Sequence, residues 1–228
     1  MIPLRDSTPS RHFPVVTLCF IILNLYVFIK GIFLGPSIAG VIHRFAVIPV
    51  NYSQLSWRHP DDLFGKSIPL LSALFLHGGW LHLIGNMWYL WIFGDNVEDR
   101  LGHFRFFIFY IVCGICGNLA HIAMNIHSNI PAIGASGCIA GVLGAYFLMF
   151  PRAKILTLLP IFVVWTVVEI RAFFFLGVWF IIQFLSGFLL ASSSKEVQSI
   201  AWWAHIGGFI AGIILTVLFT SGKKRKKR

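Results

Sequence analysis

Apolar residues dominate this chain in long blocks with few charges. Six such blocks run from about Phe13 to Leu34, Leu76 to Phe93, Phe104 to Met124, Ser136 to Phe150, Ala172 to Leu190 and Ala201 to Phe219. A helix needs about 20 apolar residues to cross the ~30 Å hydrocarbon core of a bilayer. The pattern therefore predicts an all-α membrane protein, a bundle of six transmembrane helices. Two segments depart from the pattern. Gly35 to about Pro69 mixes Arg44, Trp57, Arg58, Asp61, Asp62 and Lys66 with apolar patches such as Phe45-Ala46-Val47-Ile48, which suits short helices lying in the headgroup region. Ile155 to Val168 is apolar but broken by proline and precedes the fifth span.

Composition agrees with the blocks. Of 228 residues, 57% are apolar and 11% charged, far from the balance of a soluble globular domain. The net charge of +10 could suggest a nucleic-acid partner, but six of the eighteen Lys and Arg form the run Lys223 to Arg228, directly after an apolar span. That placement suits a cytoplasmic anchor against anionic lipid; a solvated tail with no partner is the alternative. The expected organisation is one membrane domain over residues 1–222 and a basic tail over 223–228, with no nucleic-acid binding. With both termini inside, the inner segments hold thirteen Lys and Arg and the outer segments five, so the positive-inside rule favours cytoplasmic termini. The first block is too long for a removable signal peptide and lacks a clean cleavage site. The short termini suggest a prokaryotic inner membrane. The four cysteines, Cys19, Cys113, Cys116 and Cys138, all lie in apolar stretches and are expected to be small core residues.

Within the blocks a few polar side chains stand out. Gly134-Ala135-Ser136-Gly137 opens the fourth span, and Ala204-His205 lies in the sixth. A hydroxyl and an imidazole in separate spans are costly unless they meet or line a wet cavity. A serine that meets a histidine is also the minimal apparatus of nucleophilic catalysis. Gly134 and Gly137 allow close approach of backbone, and the helix N-terminus offers N–H groups to a developing oxyanion. The alternative is packing, because Gly137, Gly141 and Gly144 form a small-residue stripe. The soluble hydrolase elbow GxSxG is not matched, since Cys138 replaces its second glycine. No acidic residue lies in the sixth span or beside Ser136, which points to a dyad rather than a triad. Gly208 and Gly212 share one helical face and would let the sixth span press on the fourth. His77, His82 and Asn86 form a third cluster. His82 and Asn86 are four residues apart, on one face, and both can donate hydrogen bonds to an oxyanion. No metal is expected, because HExxH is absent and no intramembrane carboxylate completes a zinc site.

Taken together, His77, His82-xxx-Asn86, Gly134-Ala135-Ser136-Gly137 with Gly141, and Ala204-His205-xx-Gly208-xxx-Gly212 resemble the rhomboid family of intramembrane serine proteases, in the family's order and from about Phe13 to Phe219. The resemblance implies a serine endopeptidase with Ser136 as nucleophile and His205 as general base, then general acid. His82, Asn86 and the Ser136 N–H would form the oxyanion hole, and His77 would hold a polar network near the outer mouth. The fifth span, with Phe173, Phe174, Phe175 and Trp179, would be the lateral gate, and the loop before Trp202 would cap the site. The turn Glu98-Asp99-Arg100-Leu101-Gly102 is also rhomboid-like and reads as structural. The implied substrates are transmembrane proteins, with no cofactor; the oligomeric state is not encoded visibly. Two departures stand. Ala140 occupies the position where some members carry an aromatic that stacks on the histidine, leaving the imidazole without a named support. Trp57-Arg58 looks like a pair many members carry, but Arg58 stands nineteen residues before His77, and no role is carried onto it. The rivals are a non-catalytic relative that binds membrane clients, and a proton-coupled carrier using His77, His82 and His205. Retention of Ser136 and His205 argues against the first, and the lack of intramembrane acids or repeats against the second.

Overall fold

Each apolar block folds as a helix, and the differences from the expected pattern lie at their ends and in what joins them. A computed structural model describes residues 1–53, 63–161, 164–189 and 201–221. The Trp57-Arg58 pair and the basic run from Lys223 lie outside these residues. The chain runs through β1 (Ile2–Asp6), α1 (Val15–Phe33), α2 (Ile38–Phe45), α3 (Leu63–Ser72), α4 (Trp80–Leu101), α5 (His103–Met124), α6 (Ser136–Met149), β2 (Lys154–Ile161), β3 (Val164–Arg171), α7 (Ala172–Leu189) and α8 (Trp202–Thr220). Among the described residues four helices, α1, α5, α7 and α8, are long and apolar enough to cross a membrane, and a fifth span arises if Gly65–Phe75 and Trp80–Leu101, bent by 80°, are counted as one.

The fourth block, α6, has 14 residues, about 21 Å at 1.5 Å per residue, which is shorter than a full crossing. Its environment explains why. Every residue from Gly137 to Tyr146 is buried, so α6 is walled by protein and its length need not match the lipid. The surrounding helices are layered by exposure. In α5 half of the apolar window is buried, against 22% in α1 and 28% in α7.

Contact between α6 and α8 is backbone on backbone. A Cβ added at Gly208 would lie 2.0 Å from the Gly137 carbonyl oxygen, one at Gly212 would lie 2.1 Å from that of Gly141, and one at Gly144 would lie 2.3 Å from that of Phe209. No side chain fits between these helices, and none of the opposing atoms is a flexible tip that could move aside. Close approach of this kind is how helices associate in lipid, where apolar burial gives no net drive. Helix α5 closes on the same seam, since a Cβ at Gly117 would lie 2.6 Å from the Ala204 oxygen.

At one end of the bundle the chain makes a small sheet that the apolar pattern did not reveal. The stretch from Ile155 to Val168, expected only as a proline-broken prelude to the fifth span, is an antiparallel hairpin with Ile155 opposite Ile170 and Pro160 opposite Trp165. Strand β1 adds along β2, with Ile2 opposite Leu158 and Asp6 opposite Ile155. Pro160 lies past the last residue paired with β1, where a missing N–H leaves no ladder bond on that side broken. Asp6 accepts hydrogen bonds from the Tyr146 hydroxyl at the end of α6 and from Asn96 of α4. The Trp88 indole N–H donates to the Pro3 carbonyl at 2.7 Å. The sheet thus sits at the C-terminal ends of α4 and α6, opposite Ser136.

Two other expectations need correction. The second span does not start at Leu76. The chain turns through Gly78 and Gly79 and the helix begins at Trp80, then continues past Phe93 to Leu101. Its extra turns are held because buried Glu98 caps α1, accepting from the Val16 N–H at 2.9 Å, the Thr17 N–H at 2.8 Å and the Thr17 hydroxyl at 2.7 Å. A carboxylate at a helix N-terminus satisfies donors that the helix leaves unpaired and complements its dipole. Gly102, at φ +86°, then reverses the chain into α5. The Glu98–Gly102 turn is structural, as its sequence suggested. Cysteines Cys113 and Cys138 are buried, but Cys19 is exposed, on the outer face of the peripheral helix α1.

The α6–α8 seam makes a direct prediction. Gly212→Ala should lower the thermal unfolding midpoint in detergent, corresponding to about 1–3 kcal/mol of overpacking. Gly40→Ala, where nothing lies within 4 Å of an added Cβ, should leave the midpoint near wild type.

Candidate active site

Ser136 is the first residue of α6, so its N–H belongs to the first-turn donors that an α-helix leaves unused. The turn that delivers it depends on Gly134, whose φ is +122°, a region L side chains rarely adopt. A Cβ there would also lie 2.7 Å from His82 Nε2. The Gly134 N–H donates to the Ala73 carbonyl at 2.9 Å, which ties the serine turn to the 3-10 turn Ala73–Phe75. Glycine therefore has a steric reason at 134. Gly137 has a different one, because an added Cβ would find only ordinary contact, 3.5 Å from the Ala204 oxygen. What Gly137 supplies is bare backbone for Gly208 to pack on.

His205 lies in the first turn of α8. Its Nε2 is 2.8 Å from Ser136 Oγ, and its Nδ1 is 2.6 Å from Gln183 Oε1 on α7. The imidazole is flanked by Trp179, with ring centroids 6.1 Å apart, and stands edge-on to Trp202 at 6.3 Å. Ala140, where an aromatic support was missing, is fully buried. The ring is held instead from α7 and from its own helix.

Ser136 and His205 line a cavity of about 330 Å³ together with His82, Asn86, Trp179, Gln183 and Trp202. Asn86 is buried, and its Nδ2 donor has no hydrogen-bond partner among the described residues. His82 is exposed to the cavity mouth. Among the described residues no carboxylate lines the cavity, and no group of three or more His, Cys, Asp and Glu could hold a metal ion. The chamber thus brings together a hydroxyl, an imidazole and side-chain N–H donors within a largely apolar wall.

His77 takes a different place from the one expected. It precedes α4 rather than lying within it, and its ring meets that of His82, with centroids 5.1 Å apart at 65°. It lines a second cavity, of about 310 Å³, with Val27 and Phe28 of α1 and Ile38 of α2. Among the residues expected to form a gate, Phe173 and Phe174 are exposed on α7, whereas Phe175 is 1% exposed and packs inward beside Phe93.

Gln183 was missed by sequence reasoning. The signal was present: it is the one side-chain amide in the largely apolar helix Ala172–Leu189, and intramembrane polar groups mark functional sites by default. Its partner could not be named until α7 and α8 were placed side by side.

Comparison with known proteins places this geometry in context. The family model for the rhomboid domain matches residues 65–222. RHOMBOID-like protein 5 of Arabidopsis thaliana is 30% identical over 153 residues, covering 66% of this chain and 43% of that protein. Rhomboid protein 1, mitochondrial, of Saccharomyces cerevisiae is 26% identical over 201 residues, covering 86% and 51%. Rhomboid protease GluP of Bacillus subtilis is 42% identical over 76 residues, covering 33% and 14%. The chain spans about half the length of the plant and yeast relatives. The matched region contains every residue that lines the Ser136 cavity and covers well over half of the chain, and the chain belongs to the rhomboid family.

Proposed function

We propose that this protein is an intramembrane serine endopeptidase that cleaves transmembrane proteins in or near their membrane span. The observation that carries the reading is the 2.8 Å contact between Ser136 Oγ and His205 Nε2. In the first step Ser136 Oγ attacks the scissile carbonyl carbon while its proton passes to His205 Nε2. The C=O electron pair moves to oxygen. His82, Asn86 and the Ser136 N–H would hold that oxyanion, and the unpartnered Asn86 Nδ2 is a donor already desolvated for the purpose. Collapse of the tetrahedral species breaks the C–N bond, and the Nε2 proton goes to the leaving amine. Water then attacks the acyl-Ser136 ester, with His205 again taking a proton and returning it to Oγ.

A substrate helix keeps its backbone hydrogen bonds internally and must unwind locally to present a carbonyl. We therefore infer a preference for helix-weakening residues and a small side chain before the cleaved bond. Entry between α7 and the bundle fits the exposure of Phe173 and Phe174 and the shallow burial of α7. The sheet carries Arg5, Lys154 and Arg171 at the end opposite Ser136, which supports termini on the positive, cytoplasmic side and a site opening to the other face. Relatives include proteins named as mitochondrial and chloroplastic. A client-binding role without catalysis gains no support from a serine and histidine already within hydrogen-bond distance.

Purified protein incubated with a single-span reporter should cut it, and Ser136→Ala and His205→Ala should each lose roughly 10³-fold or more of kcat. Activity should fall on the acid side, because an imidazolium cannot accept the serine proton, and a chelator should leave the rate unchanged. Persistence of cleavage in folded Ser136→Ala would overturn the assignment. Removal of one oxyanion donor by Asn86→Ala should reduce kcat by about 10²–10³-fold with a smaller change in KM, read from initial rates over a range of reporter concentrations.

A further inference from the structure

We propose that Gln183 is the positioning residue of His205, selecting by its side-chain carbonyl the imidazole tautomer that can activate Ser136. The inference rests on the serine–histidine reading above and extends it to a residue on a third helix. The geometry is a relay across three elements: Gln183 Oε1 of α7 lies 2.6 Å from His205 Nδ1, and His205 Nε2 of α8 lies 2.8 Å from Ser136 Oγ of α6. An amide carbonyl only accepts hydrogen bonds, so its partner nitrogen carries the hydrogen. A neutral imidazole has a single N–H. With that hydrogen on Nδ1, Nε2 presents a lone pair to the serine hydroxyl. The opposite tautomer would direct an Nε2–H at Ser136 and leave no base.

The amide also suits the state that follows. When the serine proton reaches Nε2, both ring nitrogens bear hydrogen and the ring becomes a cation. The Nδ1–H stays on histidine and continues to donate to Gln183 Oε1, whose dipole then faces the charge. A carboxylate could do the same more strongly, but an ionised acid within the bilayer is expensive, and among the described residues none lines this cavity. Gln183 is 7% exposed, so little solvent competes for its carbonyl. Trp179, one turn earlier on α7, and Trp202 on α8 confine the ring from two other sides. Together these contacts occupy the role left open by Ala140.

The test compares wild type with Gln183→Met, which keeps the length without a carbonyl, and Gln183→Glu, which keeps an acceptor and adds charge. For Gln183→Met we expect kcat to fall roughly 10- to 100-fold, with KM and the unfolding midpoint near wild type. Gln183→Glu should recover most of the rate at neutral to alkaline pH, with the acid limb moved to higher pH because a carboxylate favours the imidazolium. Nitrogen-15 NMR of histidine-labelled protein, with His205→Ala to identify the signals, reads the tautomer without any assay of activity. Wild type should show His205 protonated at Nδ1, and Gln183→Met should lose that preference. Wild-type kcat together with a wild-type tautomer in Gln183→Met would overturn the proposal, as would an Nε2–H tautomer in the unsubstituted protein. Loss of dependence on Ser136 would instead sink the parent reading, while the tautomer measurement would still decide the role of Gln183.

Discussion

The contact on which the rest of the structure depends is backbone against backbone between α6 and α8. Gly208 rests on Gly137 and Gly212 on Gly141 with no room for a single methyl group. Ser136 is the neighbour of the first glycine in this seam, and His205 stands one turn before its partner. The helix separation therefore sets the distance between the hydroxyl and the imidazole. A hydrogen bond of 2.8 Å does not survive a shift of about 1 Å in that separation. In lipid such closeness has to come from packing of small residues, because apolar side chains gain little by leaving lipid for protein. Glycine at these positions is both what holds the two helices together and what fixes the geometry of the site.

Polar groups elsewhere follow the constraint that each must find a partner or face a cavity. Near Ser136 they face the cavity: His82 and Asn86 from α4, Gln183 from α7. At the opposite end they pair. Glu98 is 1% exposed and spends its carboxylate on the N-terminus of α1 and on the His103 ring. Asp6 links the β1 strand to α4 and α6. The molecule thus has a fastened end, where strands and caps tie chain segments far apart in sequence, and an end where, among the described residues, unpartnered donors stand around a serine. Peripheral α7 spans both, with Phe175 in the core and Gln183 at the histidine.

The parts of this arrangement legible in the sequence were those with a local or periodic signature. Apolar length located the helices, and the spacing of Gly208 and Gly212 on one face indicated the partner of α6 before any geometry was known. Ser136, His205, His82 and Asn86 were recognisable because each is polar in an apolar setting, and the structure does gather them. The sheet was hidden for a physical reason. A continuous apolar run such as Ile155 to Val168 has no period that separates strand from helix, and β1 pairs with residues about 150 positions away. The start of α4 was misplaced although Gly78-Gly79 is a helix-breaking pair, because the apolar block ran through it. His77 moved with that boundary, out of the helix and into a turn. Gln183 was visible as a lone amide, but its meaning lies in a contact between two helices that no spacing rule specifies.

The most direct test of the central claim is mass spectrometry of the intact protein in lipid nanodiscs after exposure to a fluorophosphonate, with peptide mapping of the adduct. An activated serine is captured irreversibly by such a probe, whereas an ordinary one is not. The account predicts one adduct, on Ser136, formed by wild type and lost in His205→Ala. An adduct elsewhere, or labelling of Ser136 at the same rate without His205, would contradict it.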